Sequence, residues 1–252
     1  MKTELSHERL DLYRVYLEVA KQCGEIISGA EQSMAVLGHL DRAVESIGVN
    51  FMRANVHEPG SAQCSTWLDV SIASAHECAA SLDVCMAKNA IEASAYASAM
   101  GRLWRIRGML LGMKRSRLGQ IREETASYGS PRFPFMELDM YKVSMKSVRW
   151  THTLLGELAS GRRGRRKLDD STTGTVLNIA EGHGRSSVAD QNRFMKLAEE
   201  HAFQTILSLD LMVARDEMPP SRVADGKALQ ARIISMLHAW CASNEKRNDT
   251  HG

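Results

Sequence analysis

The strongest constraint on this chain is that it contains itself twice. Leu10-Asp11-Leu12-Tyr13-Arg14-Val15 returns as Leu138-Asp139-Met140-Tyr141-Lys142-Val143, an offset of 128. Leu40-Asp41 matches Leu168-Asp169 and Asn50 matches Asn178 at the same offset. Ser81-Leu82-Asp83 matches Ser208-Leu209-Asp210 at 127. Agreement on a nearly constant offset reads as a diverged tandem duplication, with one residue gained or lost in a loop.

Each copy carries a helical phase. Leu10, Tyr13, Leu17, Ala20, Gly24 and Ile27 step by 3 and 4, as do Leu138, Tyr141, Met145, Val148, His152 and Leu155. That spacing predicts one apolar stripe per helix, the seam of a bundle. A third-helix stripe follows Leu68, Ile72, Ala75, Ala79, Leu82 and Met86. Only 5 prolines occur in 252 residues, and helix formers dominate.

The expected helices run over 6–28, 33–56, 61–89 and 90–127, then 137–160, 168–181, 187–217 and 221–244. Ser61 and the box Ser187-x-x-Asp190 are the expected caps. Tyr128-Gly129-Ser130-Pro131-Arg132-Phe133-Pro134-Phe135 breaks the pattern, and its aromatics should pack against a bundle. The predicted fold is all-α: two tandem up-down four-helix bundles, eight helices in all. The first bundle spans 1–127, the linker 128–136 and the second bundle 137–252.

Five cysteines, an odd number without a CxxC spacing, suit reduced thiols in a helical core better than a disulfide framework or a zinc site. No apolar signal segment opens the chain and no run approaches the roughly 18 apolar residues of a membrane span. A cytoplasmic protein with no membrane association is expected. Neither a cofactor nor a metal is expected, because Glu-x-x-His pairs and a Gly-rich phosphate loop are absent.

Charge is the one functional signal read directly from composition. The net charge is +2, but residues 1–101 hold 7 Lys+Arg against 13 Asp+Glu, so the remainder carries about +8. Two clusters stand out. One is the segment Arg162, Arg163, Arg165, Arg166 and Lys167, read as a loop in which Gly164 lets backbone approach phosphates. The other is the fourth helix, with Arg102, Arg105, Arg107, Lys114, Arg115, Arg117 and Arg122 and no acid between Glu92 and Glu123. A solvated helix face normally mixes signs, so these clusters are candidate contacts for a phosphate backbone. The alternative for either is an idle solvated face.

The second copy also combines Leu138 to Val143, the run Asn178-Ile179-Ala180-Glu181-Gly182 followed by Arg185-Ser186-Ser187, and Phe194 with Ala198. In that order it resembles the four-helix-bundle family encoded in intervening sequences of 23S rRNA genes. That family includes the accessory variability determinant of diversity-generating retroelements. The resemblance covers the second copy and reaches the first through the duplication. It implies an oligomerising bundle, typically a pentameric barrel, without catalytic residues. Its retroelement members bind nucleic acid and a reverse transcriptase. By this resemblance Arg185 joins the candidate contacts.

The first copy departs from the motif. Met52 stands for Ala180 and Arg53 for Glu181, which puts simple fivefold self-assembly in doubt. Glu181 and Arg53 are candidates to face each other across a lobe contact. The residues of the motif also have a plain structural reading: Gly182 as a helix C-cap needing positive φ, Asn178 as a polar group satisfying backbone.

The expected function is a non-enzymatic nucleic-acid-binding adaptor, with RNA as partner, accessory to a reverse transcriptase. It would act as a homo-oligomer or in a hetero-complex. The alternative is a purely structural oligomerising bundle that binds a protein partner. A distant third is a ribonuclease of the HEPN kind, from the spacing Arg232-x5-His238.

Overall fold

The computed structural model describes residues 9–31, 34–117, 132–158 and 164–249. Among them are eight α-helices and no strand. These are α1 (Asp11–Gly29), α2 (Ala35–Val56), α3 (Ala62–Ala87), α4 (Ala93–Arg117), α5 (Asp139–Glu157), α6 (Arg165–Gly184), α7 (Val188–Ala214) and α8 (Pro220–Asp249). A short 3-10 helix, Pro134–Glu137, precedes α5.

The helices start where local chemistry starts them. Ser61 Oγ accepts from the Cys64 amide at 3.2 Å and Ser187 Oγ from the Asp190 amide at 3.0 Å, each satisfying an orphan N–H of a first turn. Pro220 opens α8, where its missing N–H costs nothing.

Within each half the helices pack in a ring of neighbours: α1 on α2, α2 on α3, α3 on α4 and α4 back on α1; then α5, α6, α7 and α8 likewise. The duplication extends to the ends of the helices. Lys88 and Arg215, 127 apart, cap α3 and α7 with φ of −98° and −97°. The residues after them, Asn89 and Asp216, are both left-handed at φ 55° and 54°. Asn50 donates to the Ser46 carbonyl at 2.7 Å, and Asn178 to the Gly174 carbonyl at 2.8 Å.

The two lobes do not sit as separate beads. α3 packs along α6, with smaller contacts of α2 on α6 and α3 on α5, and one continuous apolar cluster runs from Leu12 to Leu237. Small residues allow this approach. A Cβ on Gly184 would lie 2.8 Å from the Ala73 Cα. The buried stretch Ser171 to Thr175 of α6 keeps its hydroxyls satisfied, with Thr172 donating to Leu168 O at 2.8 Å, Thr175 to Ser171 O at 3.0 Å and Thr205 to Ser171 Oγ at 2.9 Å.

The linker aromatics do pack: Phe133 and Phe135 are fully buried, Phe133 edge-on to Trp104 at 5.6 Å and Phe135 edge-on to Tyr141 at 4.8 Å. All five cysteines are free, four of them buried.

Three expectations need correction. The core face of α1 is Leu12, Val15, Val19, Cys23 and Ile26, not the stripe through Leu17 and Gly24. Leu17 is 48% exposed. The same stripe on α5 is largely buried, because α5 has the first lobe on one side and its own lobe on the other. Second, α6 starts at Arg165 and runs through Gly184, so Arg165, Arg166 and Lys167 form a helical turn and not a loop. Gly164 adopts φ +92° to launch that helix, which is its conformational role. Third, Gly182 is not a left-handed cap. It lies inside α6, where a Cβ would come within 2.8 Å of the Phe194 Cβ, so its bareness lets α6 and α7 approach.

Candidate nucleic-acid interface

The predicted cations divide by what the tertiary fold puts beside them. On α4, Arg102 pairs with Glu18 of α1 at 3.0 Å and donates to Gln22 at 3.2 Å. Lys114 pairs with Asp69 of α3 at 2.5 Å, both side chains about one-fifth exposed. Arg107 donates to His76 Nε2 at 3.1 Å and lies over the Trp104 ring. Two of the acids that α4 lacks, Glu18 and Asp69, come from neighbouring helices and pair with Arg102 and Lys114. Arg105 is exposed and Arg115 half-buried. The Arg117 side chain, and Arg122 entirely, lie outside the described residues.

In the second cluster Arg162 and Arg163 also lie outside the described residues. Arg165 donates to the carbonyls of Leu155 and Leu158, closing the C-terminus of α5. Arg166 approaches Asp170 at 3.9 Å while 89% exposed, a pair of little energetic weight. Lys167 is exposed. Arg185 pairs with Glu181 and lies 4.7 Å over the Phe194 ring, its side chain 15% exposed.

The motif is therefore structural in its surroundings. Ile179, Ala180 and Gly182 are buried. Burial raises the Glu181 carboxyl, with nearby Glu77 adding to the shift and Arg185 opposing it. Arg53 does not meet Glu181 within the chain. It stacks over Trp67 at 4.7 Å, on the outer face of α2.

A different surface gathers cations that belong to neither sequence cluster. Where α3 and α4 meet α5 and α8, a cleft of about 1330 Å³ is lined by Arg132, Lys142, Lys146, Arg149 and Arg232, which outnumber its acids Asp83, Glu137 and Asp139. All five are exposed. Lys142, Lys146 and Arg149 sit at i, i+4 and i+7, one stripe of α5.

The floor is polar. Asp83 accepts from Tyr96 at 2.6 Å through Oδ1 and from Tyr141 at 2.6 Å through Oδ2. Burial raises the Asp83 carboxyl, against the two tyrosine bonds and Arg149, which lower it. Glu137 at the rim takes Lys142 at 3.0 Å and Arg132 at 3.5 Å, which lowers its carboxyl. A second cleft, of about 1040 Å³ at the α2–α6 end, balances Arg42, Lys88, Arg165 and Arg166 against Glu31, Asp41, Asp169 and Asp170. It offers an anion no net attraction.

The stripe was legible as spacing: the helical period of α5 puts its cations together. What marked it as a groove, the first lobe standing beside it, was not. Arg232 and His238 do not converge, since Arg232 lines this cleft and His238 meets Glu199 of α7. Among the described residues no cluster of three or more His, Cys, Asp or Glu side chains is placed to hold a metal, and no helix is long and apolar enough to cross a membrane. Compared with protein-family models, characterised proteins and solved structures, the chain matches none.

Proposed function

We propose that this protein is a nucleic-acid-binding adaptor without catalytic chemistry of its own, that its partner is RNA, and that it serves a reverse transcriptase. The observation that carries the reading is the cleft between the lobes, where Lys142, Lys146 and Arg149 form a cationic line flanked by Arg132 and Arg232. Three exposed cations at helical spacing match successive phosphates without asking for a base sequence. The groove is walled by helices, so it suits structured or duplex RNA held by its backbone better than stacked single strands. The reverse transcriptase enters through the resemblance of the second copy.

The test is binding of a structured RNA hairpin across a salt series. Affinity should fall steeply with salt. Replacing Lys142, Lys146 and Arg149 by Gln should make the log–log slope shallower by roughly 2–3 units, about one per lost phosphate contact. The two clusters read from the sequence are probed by Arg105→Gln with Lys167→Gln, which should change the slope less. Unchanged binding by the α5 variant overturns the assignment of the cleft. Yield of cDNA from a structured template, with and without the protein, tests the accessory role.

A second reading, a structural bundle that only assembles with protein, is favoured by the apolar stripe Phe203, Leu207 and Leu211 exposed on α7. Loss of all RNA binding by the wild type would leave that reading standing. The ribonuclease reading requires His238→Ala to abolish RNA cleavage; cleavage left unchanged by that substitution removes it.

A further inference from the structure

The contact between the lobes is asymmetric. It uses the α3 face of the first lobe and the α5–α6 face of the second. Along it Asp69 accepts from Ser186 at 2.7 Å, Gly184 lies against Ala73 and His76, and Lys88 pairs with Asp169 at 2.5 Å and reaches Thr173 at 3.1 Å. The order shows that α3 and α6 run antiparallel. Ala80 and Val84 fall on the same stripe of α3 and are fully buried. Beside it, Tyr141 of α5 donates to Asp83 of α3.

Because the chain is duplicated, each half of that contact exists a second time, and among the described residues its apolar side chains stay exposed. The α3 face recurs on α7, 127 residues on. The α5–α6 face recurs on α1 and α2, 128 residues back. In the places of His76, Ala80 and Val84 stand Phe203, Leu207 and Leu211, exposed by 52%, 52% and 37%. In the places of Met145, Leu177 and Gly184 stand Leu17, Val49 and Val56, exposed by 48%, 42% and 80%. Among the described residues these six account for all the exposed large apolar side chains except Met86. Scattered exposed apolar residues need no explanation. Six confined to the two leftover halves of one interface do.

The polar anchors recur as well. Tyr13 corresponds to Tyr141 and Asp210 to Asp83, both identical between the copies. Lys227 of α8 takes Asp210 Oδ1 at 2.6 Å, as Tyr96 of α4 takes Asp83 Oδ1; Oδ2 is the oxygen that a tyrosine of a following lobe would reach. Arg215 and Asp41 replace Lys88 and Asp169, both exposed and, among the described residues, in no ion pair with any other side chain. Lys196 and Glu58 replace Asp69 and Ser186, so both ends of the register carry opposite charges.

We propose that α7 of one copy docks on the α1–α2 face of a second copy of this chain, in the register of the internal lobe contact. Arg215 then meets Asp41, Asp210 meets Tyr13, and Phe203, Leu207 and Leu211 cover Val49 and Val56. Larger side chains on both faces set the helices farther apart than α3 and α6, within the range helix pairs adopt. The interface is heterologous. Each chain keeps one face of each kind free, so association continues until a ring closes, or forms a filament. Every chain contributes two lobes, so a closed ring holds an even number of lobes. The inference stands apart from the RNA reading and rests on the duplication alone.

The test uses nuclease-treated full-length protein and mass by light scattering. Wild type should run at a multiple of 28.0 kDa. Two variants each block one face at exposed positions: Leu207→Glu with Leu211→Glu, and Asp41→Arg with Val49→Glu. Each alone should be a monomer with unchanged helicity. Their equimolar mixture should give a dimer and nothing larger, because one intact face of each kind remains. A wild-type monomer at high concentration overturns the proposal. So does an Asp41/Val49 variant that assembles like wild type, which would mean α7 pairs with itself, or a mixture that stays monomeric. Reversal of one charge pair gives an independent check. Arg215→Asp should weaken assembly and Asp41→Arg should restore it; absence of restoration removes the register.

Discussion

At the scale of single residues, the lobe contact buries groups whose charge state is fixed by their surroundings. His76 sits under Phe133 and Phe135 and beside His183. Burial first, then the Arg107 guanidinium and His183, push its pKa down to about 3. Burial likewise lowers His183 and His201. A ring neutral in the fold but protonated when unfolded makes the unfolded state bind more protons below its ordinary pKa near 6.5. Stability should therefore be level above pH 7 and fall as pH drops from 6.5 toward 3, by up to about 1.4 kcal/mol per pH unit for His76. Urea midpoints measured across that range check this. His76→Gln keeps a side-chain acceptor for Arg107 and should flatten the slope.

Lys88 gives a second prediction at this scale. Its side chain is 2% exposed and held by Asp169 at 14%, so Asp169→Asn leaves a buried ammonium without its carboxylate. The loss should be about 3–5 kcal/mol, whereas Lys88→Met with Asp169→Leu should cost far less. Chemical denaturation of the two variants measures the difference.

At the scale of elements, α3 and α6 are the pair on which the molecule turns. Both are rich in small side chains, and both are buried on two sides. Gly184→Val should cost about 1–3 kcal/mol, since its Cβ would press on the Ala73 backbone, which cannot rotate away. Val56→Gly, at the corresponding exposed position of α2, should cost only the helical penalty of roughly 1 kcal/mol or less when measured in the monomeric Leu207→Glu, Leu211→Glu background. Gly164→Ala should lose about 1–2 kcal/mol through its left-handed φ. Thermal melts of the three variants rank them.

At the scale of the whole molecule, the continuous cluster from Leu12 to Leu237 and the buried Lys88–Asp169 pair tie the lobes together. The chain should unfold in one cooperative transition, its calorimetric and van't Hoff enthalpies equal. Two separated transitions would mean that each lobe holds its own fold.

What the sequence determined by itself was local and periodic. The offset of 128 gave the two lobes, the phase gave helices, and Ser61 and Ser187 marked starts, because capping and propensity act within a few residues. It also carried α5's cationic spacing. What only the tertiary structure decided was which partner each side chain meets. The α4 cations looked unneutralised because their acids, Glu18 and Asp69, lie 84 and 45 residues away from Arg102 and Lys114. The stripe through Tyr13 and Tyr141 was read as a core seam; it is largely buried on α5, while on α1 it is half-buried and exposed at Leu17 and Gly24. Periodicity records that a face is apolar; it does not record what covers it. That depends on the packing of α3 along α6, which brings residues about a hundred positions apart into contact and leaves their duplicates bare.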